Sequence, residues 1–178
     1  VEVAFICSGP YVEARARFGA EALVVPQIGG KKDYRAYIIV RENGPIRNFA
    51  DLRGQVFAFV DPLSTTGKLY PSYLLSKLGL SAEAYFSKTI FTWGHDNSIE
   101  AVAHGLADGA AVSSLVWEGL KKSGASAASE TKVIDRSPSF GMTRSFFSPA
   151  TSWIMRLSAL LPGTIAGPEI PPFIATSL

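Results

Sequence analysis

Gln55-Val56-Phe57-Ala58-Phe59-Val60, running straight into Asp61-Pro62-Leu63-Ser64-Thr65-Thr66-Gly67, is the stretch from which the fold can be read. Six β-branched and aromatic-rich residues have the composition of a buried strand. The segment after them is rich in hydroxyls and closed by glycine. From about Gly67 to Leu78 the pattern becomes helical, with Tyr70, Tyr73, Leu74 and Leu78 expected on one face and Gly79 placed to end the helix. Pro71 falls in the first turn, where amide hydrogens have no intrahelical partner. A strand, a tight polar turn and a helix form the unit from which open α/β sheets are built.

The same alternation continues on both sides. Strands are expected at Val3–Cys7, Ala22–Val25, Tyr34–Val40, Lys88–Thr92, Gly109–Val112 and Lys132–Ile134. A helix is marked by Ile99, Val102, Ala103 and Leu106, with Asn97 and Glu100 reading as a variant capping box. Residues 123–130 are small and polar and read as a loop. No internal repeat is present.

With 178 residues, 47% of them hydrophobic, the chain can bury one core or the cores of two small lobes. Its 17 basic and 15 acidic residues are spread without blocks, for a formal net charge of +2. That pattern speaks against nucleic acid as a partner. The single cysteine, Cys7, is expected to be a small buried hydrophobe. Two histidines and one cysteine at unrelated positions match no metal-ligand spacing, so neither metal nor cofactor is expected. No stretch approaches the roughly 20 apolar residues of a membrane span. The chain starts without Met inside a strand-like run and carries no signal-peptide pattern, so a mature piece or a fragment is expected.

The turn at residues 61–67 carries the chemistry. At the start of a helix it presents several backbone N–H groups to one point, beside about half a positive charge from the helix dipole. Ser64, Thr65 and Thr66 add hydroxyl donors, which together suit an anion. The alternative is that Ser64 or Thr65 simply caps the helix. A phosphate-binding P-loop is excluded, because Pro62 replaces its first glycine and Leu69 follows Lys68 where Ser or Thr would bind magnesium. A second strand-to-helix turn, Trp93-Gly94-His95-Asp96-Asn97-Ser98, puts His95 at the edge of the sheet where such folds hold ligands. His95 can donate to an anion there, or it can be structural. His104 is given no role. No Gly-x-Ser-x-Gly elbow or base-oriented serine is present, so no catalytic residue is assigned.

Several motifs in order resemble the phosphate/phosphonate-binding proteins of ABC importers, the PhnD-like family. They are Asp61-Pro62-x-Ser64-Thr65-Thr66-Gly67-x-x-x-Pro71, Gly94-His95, and Ala101-Val102-x-x-Gly105-x-Ala107-Asp108-Gly109-Ala110-Ala111-Val112. Further matches are Val3-Ala4-Phe5 with Gly9-Pro10-Tyr11, the run Tyr34–Val40, and Asp51-Leu52-Arg53-Gly54. The resemblance spans roughly residues 1–141. It implies an α/β, type II periplasmic-binding fold of two lobes with mainly parallel sheets, the first lobe incomplete. The implied division is 1–47 for part of lobe 1 and a hinge strand, 48–117 for lobe 2, and 118–178 for the return to lobe 1, with an atypical insertion at 142–169 before Ile170-Pro171-Pro172-Phe173-Ile174.

By motif position the resemblance gives Ser64, Thr65, Thr66 and His95 the oxyanion role, with Tyr34 and, more weakly, Tyr11 closing over the ligand. It implies a non-enzymatic protein of the periplasm or cell exterior, anchored by lipid if an upstream segment supplies the site. Its ligand would be a phosphonate, phosphite or phosphate, and its partner an ABC permease. Ser113 stands where an acidic residue often meets a ligand amine, which makes an aminoalkyl phosphonate the less secure choice. Two other functions fit the same residues: the sensing domain of a membrane receptor kinase, and an enzyme that processes phosphate esters with His95 as base.

Overall fold

Alternation along three neighbouring strands builds the core. In β4 (Ala36–Arg41), Tyr37 and Ile39 face one way and Ile38 and Val40 the other. In β5 (Val56–Phe59), Phe57 and Phe59 oppose Ala58, and in β7 (Gly109–Ser113), Ala111 opposes Ala110 and Val112. A sheet with two apolar faces must be covered on both. Helices α2 (Tyr70–Lys77) and α3 (Ala82–Tyr85) contribute Tyr70, Leu75, Ala82 and Tyr85 to one layer. Helices α4 (His95–Ala103) and α6 (Ser126–Ser129) contribute Ile99, Val102, Ala127 and Ala128 to the other, flanked by α5 (Ser114–Lys122).

The computed structural model describes residues 3–4, 6–30, 32–142 and 146–147. The chain forms two compact units, Asp33–Gly141 and Val1–Lys32 with Met142–Leu178. The larger unit holds a five-stranded sheet of order β6-β5-β7-β4-β8, where β6 is Lys88–Phe91 and β8 is Thr131–Arg136. β5 pairs parallel with β6 and β7, and β4 pairs antiparallel with β7 and β8. Four strands therefore run one way with β4 reversed among them. A short antiparallel pair, β3 (Asp33–Tyr34) with β9 (Phe140–Gly141), completes this unit. In the other unit α1 (Ser8–Phe18) accompanies β1 (Val3–Ala4), β2 (Glu21–Ala22) and β10 (Phe146–Phe147), with β10 antiparallel to both other strands.

The aromatic layer against β5 is the firmest part of the core. The Phe57 and Phe86 rings stack at 4.4 Å, Phe57 meets Phe59 edge-on at 5.2 Å, and Phe49 stacks on Tyr85 at 5.4 Å. Phe57 is completely buried, so Phe57→Ala is expected to lower unfolding stability by about 3–5 kcal/mol. Chemical denaturation followed by tryptophan fluorescence would measure this, and a loss within experimental error would contradict the packing described.

Several local expectations are corrected. The helix after the turn 61–67 does not start at Gly67: residues Thr65–Leu69 form a π turn, and the α-helix begins at Tyr70. Tyr70 and Leu74 pack on the core as expected, joined by Pro71 and Leu75 (1% exposed), whereas Tyr73 is 51% exposed. Leu78 lies past the last turn and is exposed, and Gly79 ends the helix with φ 69° as expected. α4 starts at His95 with Gly94 as its N-cap. Asn97 is no cap, and its side-chain amide instead donates to the Thr92 carbonyl at 3.0 Å. The same helix stops at Ala103, which leaves Leu106 exposed. Within 123–130, Ala127 and Ala128 anchor a helical turn because both are buried. Cys7 is only half-buried, at the N-cap of α1.

The expected strand at Val3–Cys7 extends only over Val3–Ala4, and that at Ala22–Val25 shifts to Glu21–Ala22. The boundaries expected at 47/48 and 117/118 both fall within the larger unit, because β4 and β8 share the sheet of β5 and β7. Apart from Met142 and the strand Phe146–Phe147, the expected insertion lies outside the described residues, as does the Pro-Pro-Phe run.

Candidate functional site

β5, β6 and β7 are neighbours with the same direction, so their C-terminal ends share one edge of the sheet, and a helix starts just beyond each. Beyond β5 comes the turn 61–67, beyond β6 the turn 93–95, and directly at the end of β7 the start of α5. Each helix start presents amides without intrahelical partners and the positive end of a dipole. Three such starts on adjacent strands make this edge attractive to an anion, at the position where open α/β sheets hold ligands.

The first turn is bound closely to its strand. The Val60 amide donates to the Gly67 carbonyl at 3.3 Å, and the Lys68 and Leu69 amides both donate to the Ser64 carbonyl at 3.0 Å. A Cβ on Gly67 would lie 2.4 Å from Val60 Cγ2 and 2.9 Å from Ser64 Oγ, so only glycine permits this approach. Ser64 Oγ accepts the Gly67 amide at 2.9 Å, and the capping alternative therefore holds for Ser64. Accepting that bond does not consume the hydroxyl proton, which a serine can still donate. Ser64, Thr65 and Thr66 are 3%, 6% and 2% exposed, a concentration of buried hydroxyls at the start of a helix. Buried polar groups are costly unless partnered.

The second turn is tied to the first. The Thr92 amide donates to the Phe59 carbonyl at 3.0 Å and the Trp93 amide to the Val60 carbonyl at 2.8 Å. Thr92 Oγ1 bonds Ser98 Oγ at 2.6 Å and donates to the Gly94 carbonyl at 3.0 Å. These bonds hold Trp93 at φ 60°, a left-handed conformation that costs a bulky residue about 1–2 kcal/mol. The next residue but one is His95. Its Nδ1 accepts the Ser113 amide at 3.1 Å, from the end of β7. A neutral imidazole that accepts at Nδ1 carries its proton on Nε2, so His95 is fixed as an Nε2–H donor.

The structure thus brings Ser64, Thr65, Thr66 and His95 to one sheet edge. Tyr34 lies in the same unit on β3, half-buried, with its ring 6.0 Å from that of Phe140. Phe140 in turn meets Tyr70, just beyond the turn 61–67, at 6.3 Å, and Tyr70 donates to Asp135 Oδ1 at 2.5 Å. Burial and the neighbouring Asp135 carboxylate push the Tyr70 phenol up, so it remains a donor. Tyr11 belongs to α1 in the other unit. Ser113, read from the sequence only for the side chain it lacks, orients His95 through its backbone amide, which no side-chain pattern reveals. His104 pairs with Glu100 on the exposed end of α4, at 3.0 Å.

Residues 1–151 match the family model described as "ABC transporter, phosphonate, periplasmic substrate-binding protein". The chain belongs to this family. Among curated relatives of this phosphonate-binding family, the phosphate-import protein PhnD of Mycolicibacterium smegmatis is 35% identical over 118 residues, which cover 61% of this chain and 37% of that protein. A probable ABC transporter phosphite-binding protein of Prochlorococcus marinus is 27% identical over 104 residues, covering 54% of this chain and 35% of its own length. The chain thus spans little more than a third of either relative.

Solved structures agree on the fold. The binding-protein component of an ABC phosphonate transporter from Pseudomonas aeruginosa superposes with a TM-score of 0.78 at 23% identity, over 89% of this chain and 54% of that one. A Prochlorococcus marinus protein in complex with methylphosphonate gives 0.70 at 22% identity, over 83% and 57%. The α/β periplasmic-binding fold is accordingly that of this chain.

Proposed function

We propose that the protein to which this chain belongs captures a phosphonate, phosphite or phosphate outside the cytoplasm and delivers it to an ABC permease, without catalysing a reaction. The observation that carries this reading is the meeting of three helix starts at the ends of β5, β6 and β7, lined by Ser64, Thr65, Thr66 and the Nε2–H of His95. A tetrahedral oxyanion gives up strong hydration on entering a cleft, so each oxygen needs donors. Hydrogen bonds to a charged group contribute about 1.5–3 kcal/mol each. Four or five of them outweigh the association cost and leave a complex of micromolar affinity or tighter, about −8 kcal/mol. Family membership and the methylphosphonate complex of the Prochlorococcus marinus protein support the same ligand class.

Within this reading Tyr34 covers the bound anion, and the ligand-bound state is the one that the permease recognises. Among the described residues no helix is long and apolar enough to cross a membrane.

A thermal-shift panel of phosphate, phosphite, methylphosphonate and 2-aminoethylphosphonate is the direct test. At least one is expected to raise the melting temperature in proportion to the logarithm of its concentration. No shift with any of them, or release of phosphate from ester substrates, would overturn the proposal. Thr65→Val keeps the shape of the side chain and removes its hydroxyl. It is expected to weaken the best ligand by about tenfold or more, and equal calorimetric affinity would remove Thr65 from the site.

A further inference from the structure

Two departures from regular structure meet in one hydrogen bond. In the sheet, β8 carries a bulge: Ile38 pairs with Asp135 and Ile39 with Val133, which leaves Ile134 without a counterpart. Strict alternation would return Asp135 to the layer in which Val133 packs. The bulge instead sets it on the side of Ile134, where Asp135 Oδ1 accepts the Tyr70 hydroxyl at 2.5 Å. In the turn, Thr65–Leu69 take the rare π winding, and the Tyr70 amide closes it on the Thr65 carbonyl.

Packing by itself calls for neither departure. Tyr70 is 7% exposed within an apolar layer, beside the Phe140 ring. A carboxylate drawn toward such a layer costs desolvation, and an aliphatic side chain would fill the space without that cost. What the pair supplies is a fixed point behind the hydroxyl turn. The front of the turn is held by the Val60 amide on the Gly67 carbonyl and by the Lys68 and Leu69 amides on the Ser64 carbonyl. The back is held at Tyr70, whose side chain reaches across to the edge strand β8. With both ends fixed, residues 65–69 take the wider i to i+5 winding, whereas an α winding would turn Tyr70 away from Asp135.

Resting on the oxyanion reading above, we propose that the Tyr70–Asp135 bond is a register lock, which selects the π over the α winding of residues 65–69 and so holds the Thr65 and Thr66 hydroxyls at the sheet edge for the anion. Tyr70 and Asp135 are positioning residues in this scheme and touch no ligand. Polar pairs with both partners satisfied rigidify their surroundings and specify one arrangement. Donors set in advance spare the bound state the ordering of the turn, so the lock acts on affinity more than on global stability.

Calorimetry of the full chain with methylphosphonate and with phosphate, beside amide hydrogen exchange followed by NMR, tests this. Tyr70→Phe keeps the ring against Phe140 and removes only the hydroxyl. It is expected to weaken the better ligand by about tenfold and to speed exchange of the Lys68, Leu69 and Tyr70 amides by about tenfold, with the Phe57 and Ala58 amides of β5 unchanged. Asp135→Asn keeps an acceptor oxygen and should stay within about threefold of the wild type in both readouts. Asp135→Leu breaks the bond from the other end, should match Tyr70→Phe, and takes its place if that variant does not fold. Wild-type affinity or wild-type exchange at the turn in a folded Tyr70→Phe or Asp135→Leu protein would overturn the proposal. Equal acceleration in β5 would do the same, because it marks a general loss of stability. If the wild type binds neither phosphorus ligand, the oxyanion reading fails instead, and the exchange rates still decide the lock.

Discussion

Replacing Gly67 with alanine is expected to remove measurable binding of phosphate and methylphosphonate, a loss of about a hundredfold or more, while the β-sheet core stays folded. The added methyl would stand 2.4 Å from Val60 Cγ2 and 2.5 Å from Val60 Cβ, well inside contact distance. Val60 is itself buried at the end of β5 and cannot withdraw, so the turn must move. Moving it breaks the Val60–Gly67 backbone bond and the Ser64 cap and displaces Ser64, Thr65 and Thr66 together. Overpacking of this kind costs about 1–3 kcal/mol in stability. Its effect on binding is larger because several donors lose their common target at once. Calorimetry for affinity and circular dichroism for the fold separate the two, and retained affinity in a folded variant would show that the turn is not the anion site.

His95→Asn is expected to weaken the same ligands by about tenfold to a hundredfold, whereas His95→Gln recovers much of the loss. Asparagine places an oxygen where it can still accept the Ser113 amide, now held by Nδ1 at 3.1 Å, but its side chain does not reach the position of Nε2. Glutamine reaches that position with an N–H donor. The pair therefore distinguishes donation to ligand from a structural role in joining α4 to β7, because a purely structural histidine would be replaced better by asparagine. If asparagine preserves affinity and glutamine does not, His95 belongs to the scaffold rather than the site.

Much of the chemistry was legible because it is local. A β-rich run, a hydroxyl-rich turn ended by glycine, and a helix can be read from residues 55–78 alone, and they carry the proposal of an anion site. Gly94-His95 ahead of a second helix repeats the signal. Element bounds were less legible where tertiary contacts set them. The π turn at Thr65–Leu69 arises because Gly67 must lie against Val60, a contact that periodicity does not encode. The helical turn at Ser126–Ser129 looked like a loop because its serines and alanines have little intrinsic signal, and burial of Ala127 and Ala128 stabilises it instead. The insertion of β4 between β7 and β8, antiparallel to both, pairs segments far apart in the chain and leaves no local signal.

By itself the order of residues determined the α/β class and marked the turns that hold Ser64, Thr65, Thr66 and His95, since each depends on neighbours within a few positions. Tertiary structure alone decided that the turns after β5 and β6 lie side by side, that the Ser113 backbone selects the His95 tautomer, and that Asp61 Oδ2 is buried without a donor. The physical reason is the same in each case. Hydrogen-bond partnership and burial belong to pairs of groups, and these pairs are brought together only when strands distant in the chain become neighbours in the sheet.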